Sequence, residues 1–246
     1  MPRAGDTGAR RMHATSAKVD VVAIDGPVGS GKSTAAKRLA AELGFRYIDT
    51  GAMYRAVTLE AVRRGVDLED ADSLGDVANS VEIALETVAA TDEGGGGAGR
   101  QRVLLGGEDV SEEIRTPELT ARVRHIARAA PVREWMRGEQ RRLGLAGPSV
   151  MEGRDIGTVV FPDARWKFYL DATVAERAKR RRRELEAKGI SLSDAELENE
   201  VRIRDRTDLE REIAPLKCAD DAERVDTTGM AIDEVVGHLA RQVRGE

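Results

Sequence analysis

The sequence predicts an α/β fold built on a parallel sheet, and three features carry that expectation. An apolar, β-branched run over 19–24 ends in a glycine-rich loop that opens a helix-forming segment over 35–43. Four further short strand-like runs follow, over 45–49, within 149–155, and over 166–171 and 223–226. Segments with apolar residues at helical spacing separate them. Strands that alternate with helices pair in parallel through right-handed crossovers. With 246 residues the chain can bury the core of one such domain with insertions.

The first strand leads into the most informative stretch. Gly26, Gly31, Lys32 and Ser33 satisfy the phosphate-binding pattern G-x-x-x-x-G-K-[ST]. Its glycines let consecutive backbone N–H groups turn onto an anion, and the following helix adds the positive end of its dipole. Lys32 would reach the terminal phosphates, and the Ser33 hydroxyl would coordinate magnesium. The pattern indicates a nucleoside triphosphate and leaves the reaction open.

Gly44 is placed to cap the first helix. After the second strand, Asp49 and Thr50 are both candidate N-caps of a helix whose apolar face is Val57, Leu59, Ala61 and Val62. Polar groups at the carboxyl end of a parallel strand also line a ligand crevice. From 66 to 114 the pattern changes. A short acidic helix over 70–79 precedes a run over 81–86 that alternates at period two, with a hairpin partner at 102–105 and a glycine run, 94–97, between them. This segment reads as an insertion beside the core.

Thr116 and Pro117 start a helix with Leu119, Val123, Ile126 and Ala127 on one face. Pro131 starts another, whose Val132, Trp135, Met136 and Leu143 read as core. The strand near 150 delivers Glu152, Arg154 and Asp155 to one end, as a local ion pair or as ligands for magnesium and phosphate. Thr173 with Glu176, and Ser193 with Glu196, form capping boxes opening two more helices, the second running to about Arg206. The first carries Arg177 and Arg180 to Arg183 and breaks at Lys188-Gly189. Such a run alone is usually a solvated face, but Arg177 and Arg181, four apart, share a side suited to gripping a polyphosphate. Ile232, Val235, Val236, Leu239 and Val243 face one side of a terminal helix.

A net charge of −5 and an aromatic content of 3% argue against a dedicated nucleic-acid binder. The single Cys218 reads as a small buried hydrophobe in a reducing cytosol. No apolar run approaches the roughly 20 residues of a membrane span. Residues 1–17 hold Arg3, Arg10 and Arg11 without an apolar core, which fits a disordered tail and not a signal peptide. His13, His125 and His238 lie too far apart for a zinc motif.

The blocks IDGPVGSGKST, YIDTGAMYRA, GEDVSEEIRTPE, VREWM, EGRDIGTVVFPDA, KFYLDAT with ERAKRR, RDRTDLEREIAPLKCADDA and VDTTG run in order from Val21 towards the C-terminus. Together they resemble the bacterial cytidylate kinases, of the nucleoside monophosphate kinase group. The resemblance implies a P-loop kinase three-layer fold over 18–246, with a five-stranded parallel sheet, a monophosphate-binding insertion at 66–114 and a helical lid at 177–212. It implies ATP on Gly26, Pro27, Val28, Gly29, Ser30, Gly31, Lys32, Ser33 and Thr34, with Arg180 beside it. CMP or dCMP would lie on Thr50, Tyr54, Arg55, Arg133, Arg154, Asp155, Asp208 and Arg211, with Arg133 and Asp155 reading the base. Lys32, Arg154, Arg177, Arg181 and Arg211 would carry the transfer, and Mg2+ would sit on Ser33, with Glu152 acting through water. A cytoplasmic monomer without nucleic-acid or membrane partners is the expected setting.

Cytosine offers an N4 donor beside the N3 and O2 acceptors, which an Asp–Arg pair can read. Uracil would oppose an acceptor to the carboxylate, costing about 1–3 kcal/mol. Three features depart from the family pattern. Arg124 stands where the family often has serine nine residues before the base-reading arginine, Pro131 and Arg133 are one residue closer than usual, and the glycine run lengthens the insertion hairpin. A related kinase with UMP, AMP or another acceptor is the nearest alternative. A nucleotide-hydrolysing switch would normally carry Asn-Lys-x-Asp, which is absent, although Asp226 to Gly229 fits the loose D-x-x-G pattern.

Overall fold

The computed structural model describes residues 18–88, 100–187 and 189–246. The N-terminal tail, the glycine run at 94–97 and Lys188 lie outside the described residues. The first half runs through β1 (Val19–Asp25), α1 (Lys32–Leu43), β2 (Arg46–Asp49), α2 (Thr50–Arg63), α3 (Ala71–Ser80), β3 (Ile83–Val88), β4 (Arg100–Leu105) and β5 (Glu108–Asp109). The second half runs through α4 (Pro117–Arg128), α5 (Ala130–Leu145), β6 (Ser149–Gly153), β7 (Ala164–Asp171), α6 (Val174–Glu186), α7 (Asp194–Leu209), β8 (Glu223–Asp226) and α8 (Ile232–Arg244).

Five strands form the expected parallel sheet, in the order β2-β6-β1-β7-β8. β1 lies at its centre, and Val21, Val22, Ala23 and Ile24 are all fully buried. Successive side chains point to opposite faces, so Val21 and Ala23 join one apolar cluster with α2, α4 and α5, while Val22 and Ile24 join another with α1 and α8. A strand covered on both sides must be apolar at every position. That requirement explains why the first run lacks polar alternation.

The helix after the phosphate loop starts at Lys32, three residues before the expected Ala35, because Gly31 (φ 89°) is its N-cap. The motif residues themselves therefore form the first turn. Asp49 is the N-cap of α2, accepting from the Ala52 N–H at 2.8 Å, and Thr50 is left for another bond. The Ser193–Glu196 capping box is complete and α7 continues to Leu209. The Thr173–Glu176 box is only half made. Thr173 accepts from the Glu176 N–H, but the Glu176 carboxylate pairs with Arg180 at 3.0 Å. Cys218 is half-buried, not the core hydrophobe expected, since it sits in the irregular stretch before β8.

A second sheet, antiparallel β3-β4-β5, lies within 66–114. The two-residue β5 was beyond the reach of periodicity. Gln101 of β4 is buried, donating its amide to the Tyr47 carbonyl at 2.6 Å and accepting from the Asp49 N–H at 3.3 Å. It thereby satisfies the outer edge of β2. Helices α6 and α7 pair over a small core of their own, Ala178, Leu185, Leu197 and Val201.

Gly75 shows how closely α3 sits on α5, since a Cβ there would lie 2.5 Å from Cβ of Pro131. Helix propensity alone would favour alanine by about 1 kcal/mol. A rigid proline ring cannot move aside, and overpacking costs about 1–3 kcal/mol. Gly75→Ala is expected to lower stability, read as a lower urea midpoint with unchanged slope.

Candidate active site

The site is assembled at the carboxyl ends of the parallel strands, where the chain leaves the sheet for loops and helix N-termini. A Cβ on Gly26 (φ 147°) would lie 2.0 Å from the Leu170 carbonyl oxygen, so only glycine lets the loop leave β1 against β7. Lys32 is buried, its Nζ donating to the Pro27 carbonyl at 2.8 Å. Burial, then the Arg154 charge, holds its pKa below the usual lysine range. Within the same loop the buried Ser30 hydroxyl has no hydrogen-bond partner.

Beside Lys32, the Glu152 carboxylate receives the Tyr47 hydroxyl at 2.7 Å and the Ser33 hydroxyl. Burial, then Asp49, raises its pKa. Thr50 donates to the Glu152 backbone carbonyl at 2.6 Å, locking α2 onto the end of β6. Ser33 and Glu152 are hard oxygen donors of the kind Mg2+ takes, and a nucleotide's phosphates and water would supply the rest of its shell. Among the described residues no group of three His, Cys, Asp or Glu could hold a metal unaided.

A cleft opens nearby, lined among others by Tyr54, Arg133, Gln140, Asp155, Ile213 and Ala214. Arg133 and Asp155 are both buried and meet at 2.5 Å. Arg133 also donates to the Ala127 carbonyl at 3.1 Å, and its guanidinium lies 5.8 Å from the centre of the Tyr54 ring. Burial pushes the Tyr54 hydroxyl up to about 12, keeping it protonated. Arg154 pairs with Asp208 at 2.7 Å. Burial works against the Asp208 charge, yet Arg154 holds its carboxyl below the ordinary value.

The remaining predicted residues divide into two groups. Arg211 folds back onto the carbonyls of Ile213 and Ala214, the latter at φ 49°, and Arg55 lies 4.0 Å from Asp49. The arginines of α6 are held in place. Arg177 is buried, bidentate to Asp205 at 2.6 and 2.7 Å and bonded to the carbonyls of Ala172 and Val28. Arg180 reaches the phosphate loop at the Gly29 carbonyl and is gripped by Thr227, through its hydroxyl at 3.0 Å and its carbonyl at 2.7 Å. Arg181 pairs with Glu184 and Glu200. Arg124 is exposed, against the ring of His125.

Sequence reasoning missed the residues that hold the others. Asp25, Tyr47, Asp205 and Thr227 carried no assignment, nor did Arg204, whose pKa is lowered by burial and then by Arg154 and Arg181. For Asp25 a signal existed, a carboxylate ending an otherwise apolar central strand. Burial, the largest influence, pushes its carboxyl up to about 7 against the N–H groups of Gly157 and Ile156, which favour the anion. A cleft with several cations and few nucleophiles suits gripping polyanions more than covalent catalysis.

The family whose description is cytidylate kinase matches residues 22–245. The chain belongs to the cytidylate kinase family. It is 48% identical to a cytidylate kinase of Pelotomaculum thermopropionicum over 90% of this chain and 95% of that one, and 47% identical to one of Exiguobacterium sibiricum over 91% and 96%. A bifunctional pantoate ligase/cytidylate kinase of Synechococcus elongatus is 48% identical, and there the chain spans only 42% of the relative's length. Membership makes the protein a phosphotransferase of the cytidylate kinase type. Among the described residues no helix is long and apolar enough to cross a membrane.

Arg177→Ala would strand the Asp205 carboxylate, and breaking a buried pair from one side costs about 3–5 kcal/mol. Because Asp205 keeps some exposure, a loss near the lower figure is expected in urea denaturation. Arg177→Met with Asp205→Leu should recover much of it.

Proposed function

We propose that the protein transfers the γ-phosphoryl group of ATP to CMP or dCMP, giving ADP and CDP or dCDP. The observation that carries this proposal is the buried Arg133–Asp155 pair, next in the chain to Arg154 and opening onto Tyr54. Asp155 accepts from cytosine N4 while Arg133 donates to N3 or O2. Arg55, Arg154 and Arg211 grip the acceptor phosphate, Thr50 and Tyr54 line its pocket, and Asp208 holds the ribose side. In the resting protein Arg154 is bonded to Asp208 and Arg211 to backbone carbonyls, so an arriving phosphate exchanges partners with them.

The donor lies in the loop from Gly26 to Thr34, with Arg180 over its outer side. Its phosphates supply the negative charge that burial denies Lys32, so Lys32 acts as a full cation in the complex. When bound, Mg2+ on Ser33, and on Glu152 through water, neutralises phosphate charge. In-line placement of the acceptor oxygen and stabilisation of equatorial charge by Lys32, Arg154, Arg177, Arg181 and Arg211 then suffice without a general base. The segments 66–114 and 177–212 act as acceptor-binding insertion and lid, closing to exclude water and limit ATP hydrolysis. A monomer working in the cytoplasm fits this scheme.

An ADP-release assay across CMP, dCMP, UMP and AMP tests the acceptor, with CMP or dCMP expected to be preferred and a preference for UMP or AMP refuting the assignment. Lys32→Ala should lower turnover about a hundredfold or more. Asp155→Asn should lower the CMP/UMP ratio of kcat/KM about tenfold or more, corresponding to one lost buried hydrogen bond.

A further inference from the structure

Asp25 is the last residue of β1 and is buried. Its backbone stands opposite Gly153, the last residue of β6, where the parallel ladder between the two central strands ends. Beyond Gly153 the chain turns away through Arg154 and Asp155 into a single π-type turn, Ile156–Val160. The Asp25 side chain follows it. One carboxylate oxygen accepts from the Ile156 N–H at 2.9 Å and the other from the Gly157 N–H at 2.7 Å. The two amides that follow Asp155 are therefore fixed to the strand that launches the phosphate loop.

The segment packs closely around this carboxylate. Ile156 is fully buried, and a Cβ on Gly153 would lie 2.8 Å from its side chain. A Cβ on Gly157 would lie 3.4 Å from the Asp25 carboxylate and 3.3 Å from the Lys167 stem. Neither oxygen of Asp25 is needed to build the sheet, whose ladder is made by the backbone. A buried carboxylate there has a desolvation cost that an apolar residue would avoid. Its return is control over where Arg154 and Asp155 point.

We infer that Asp25 is a positioning residue for the acceptor nucleotide, setting Arg154 and Asp155 relative to the phosphate loop. This rests on the acceptor roles proposed above for those two residues. A carboxylate suits the task because both oxygens accept, whereas an asparagine would oppose its NH2 group to one of the two N–H donors. Misplacement of the segment would then fall on the acceptor more than on the donor, whose loop is also held by Lys32, Arg177, Arg180 and Thr227.

The test is the Asp25→Asn enzyme, with Asp25→Ser beside it as a smaller acceptor and circular dichroism to verify folding. The expected result is an increase of about tenfold in KM for CMP, with KM for ATP changed less than about twofold. Unchanged KM for CMP, or equal increases for both substrates, would overturn the inference. Asp155→Asn is measured in parallel. If it leaves the CMP/UMP ratio intact, base reading by Asp155 fails, while the KM split still decides for Asp25 through the phosphate grip of Arg154. Should neither variant fold, hydrogen exchange on the wild-type protein decides. Strong protection of the Ile156 and Gly157 amides, deepened by CMP, is expected, and exchange at the rate of exposed amides would overturn the assignment.

Discussion

Positive charge cannot be gathered at one end of a sheet unless each cation has somewhere to be while the substrates are away. In this protein that constraint is met by pairing. Arg133 rests on Asp155, Arg154 on Asp208, Arg177 on Asp205 and Arg181 on Glu200, while Lys32, Arg180 and Arg211 lean on backbone carbonyls. The carboxylates stop the arginines repelling one another and hold each in one place. Pre-organisation of this kind lowers the cost of ordering side chains when ligands arrive. It also explains why a chain of net charge −5 can present a local concentration of cations.

The pairs are not equivalent. Arg177 is held by four acceptors, two of them oxygens of one carboxylate, and behaves as a fixed strut between α6, α7 and the phosphate loop. Arg154 and Arg211 hold fewer acceptors, Arg154 the Asp208 carboxylate and the Gly153 carbonyl, and Arg211 is bent back onto a turn whose Ala214 adopts a left-handed conformation. A non-glycine residue at positive φ carries some strain. Exchange of partners is therefore cheaper at Arg154 and Arg211 than at Arg177.

Much of the fold was legible because burial of a parallel sheet on both faces leaves a strong trace. The runs at β1, β6 and β7 could hardly be anything else, and the phosphate loop lies where glycine is sterically enforced at Gly26. Element ends were less legible, since Lys32 to Thr34 and Thr207 to Leu209 join helices through cap geometry that residue type alone does not reveal. Of the candidate site, the sequence offered cations and carboxylates at strand ends and along α6, but not the partners that hold them. Tyr47, Asp205 and Thr227 act through partners distant in sequence, Thr227 reaching Ser30 across the sheet. Asp49 and Thr50 show the same limit at one helix start, where either could cap and only the carbonyl of Glu152 decides between them.

The amide of Gln101, bonded to Tyr47 and Asp49, does more than attach one sheet to another. β2 is the outermost strand of the central sheet, and an uncovered edge is a template on which another chain can pair. A side-chain amide has the same donor and acceptor as a peptide group, so Gln101 stands in for one residue of a missing neighbour strand. Segment 66–114 is thus also a guard for the core. A shortened chain lacking it would expose strand backbone and acquire a route to self-association unrelated to any loss of catalysis.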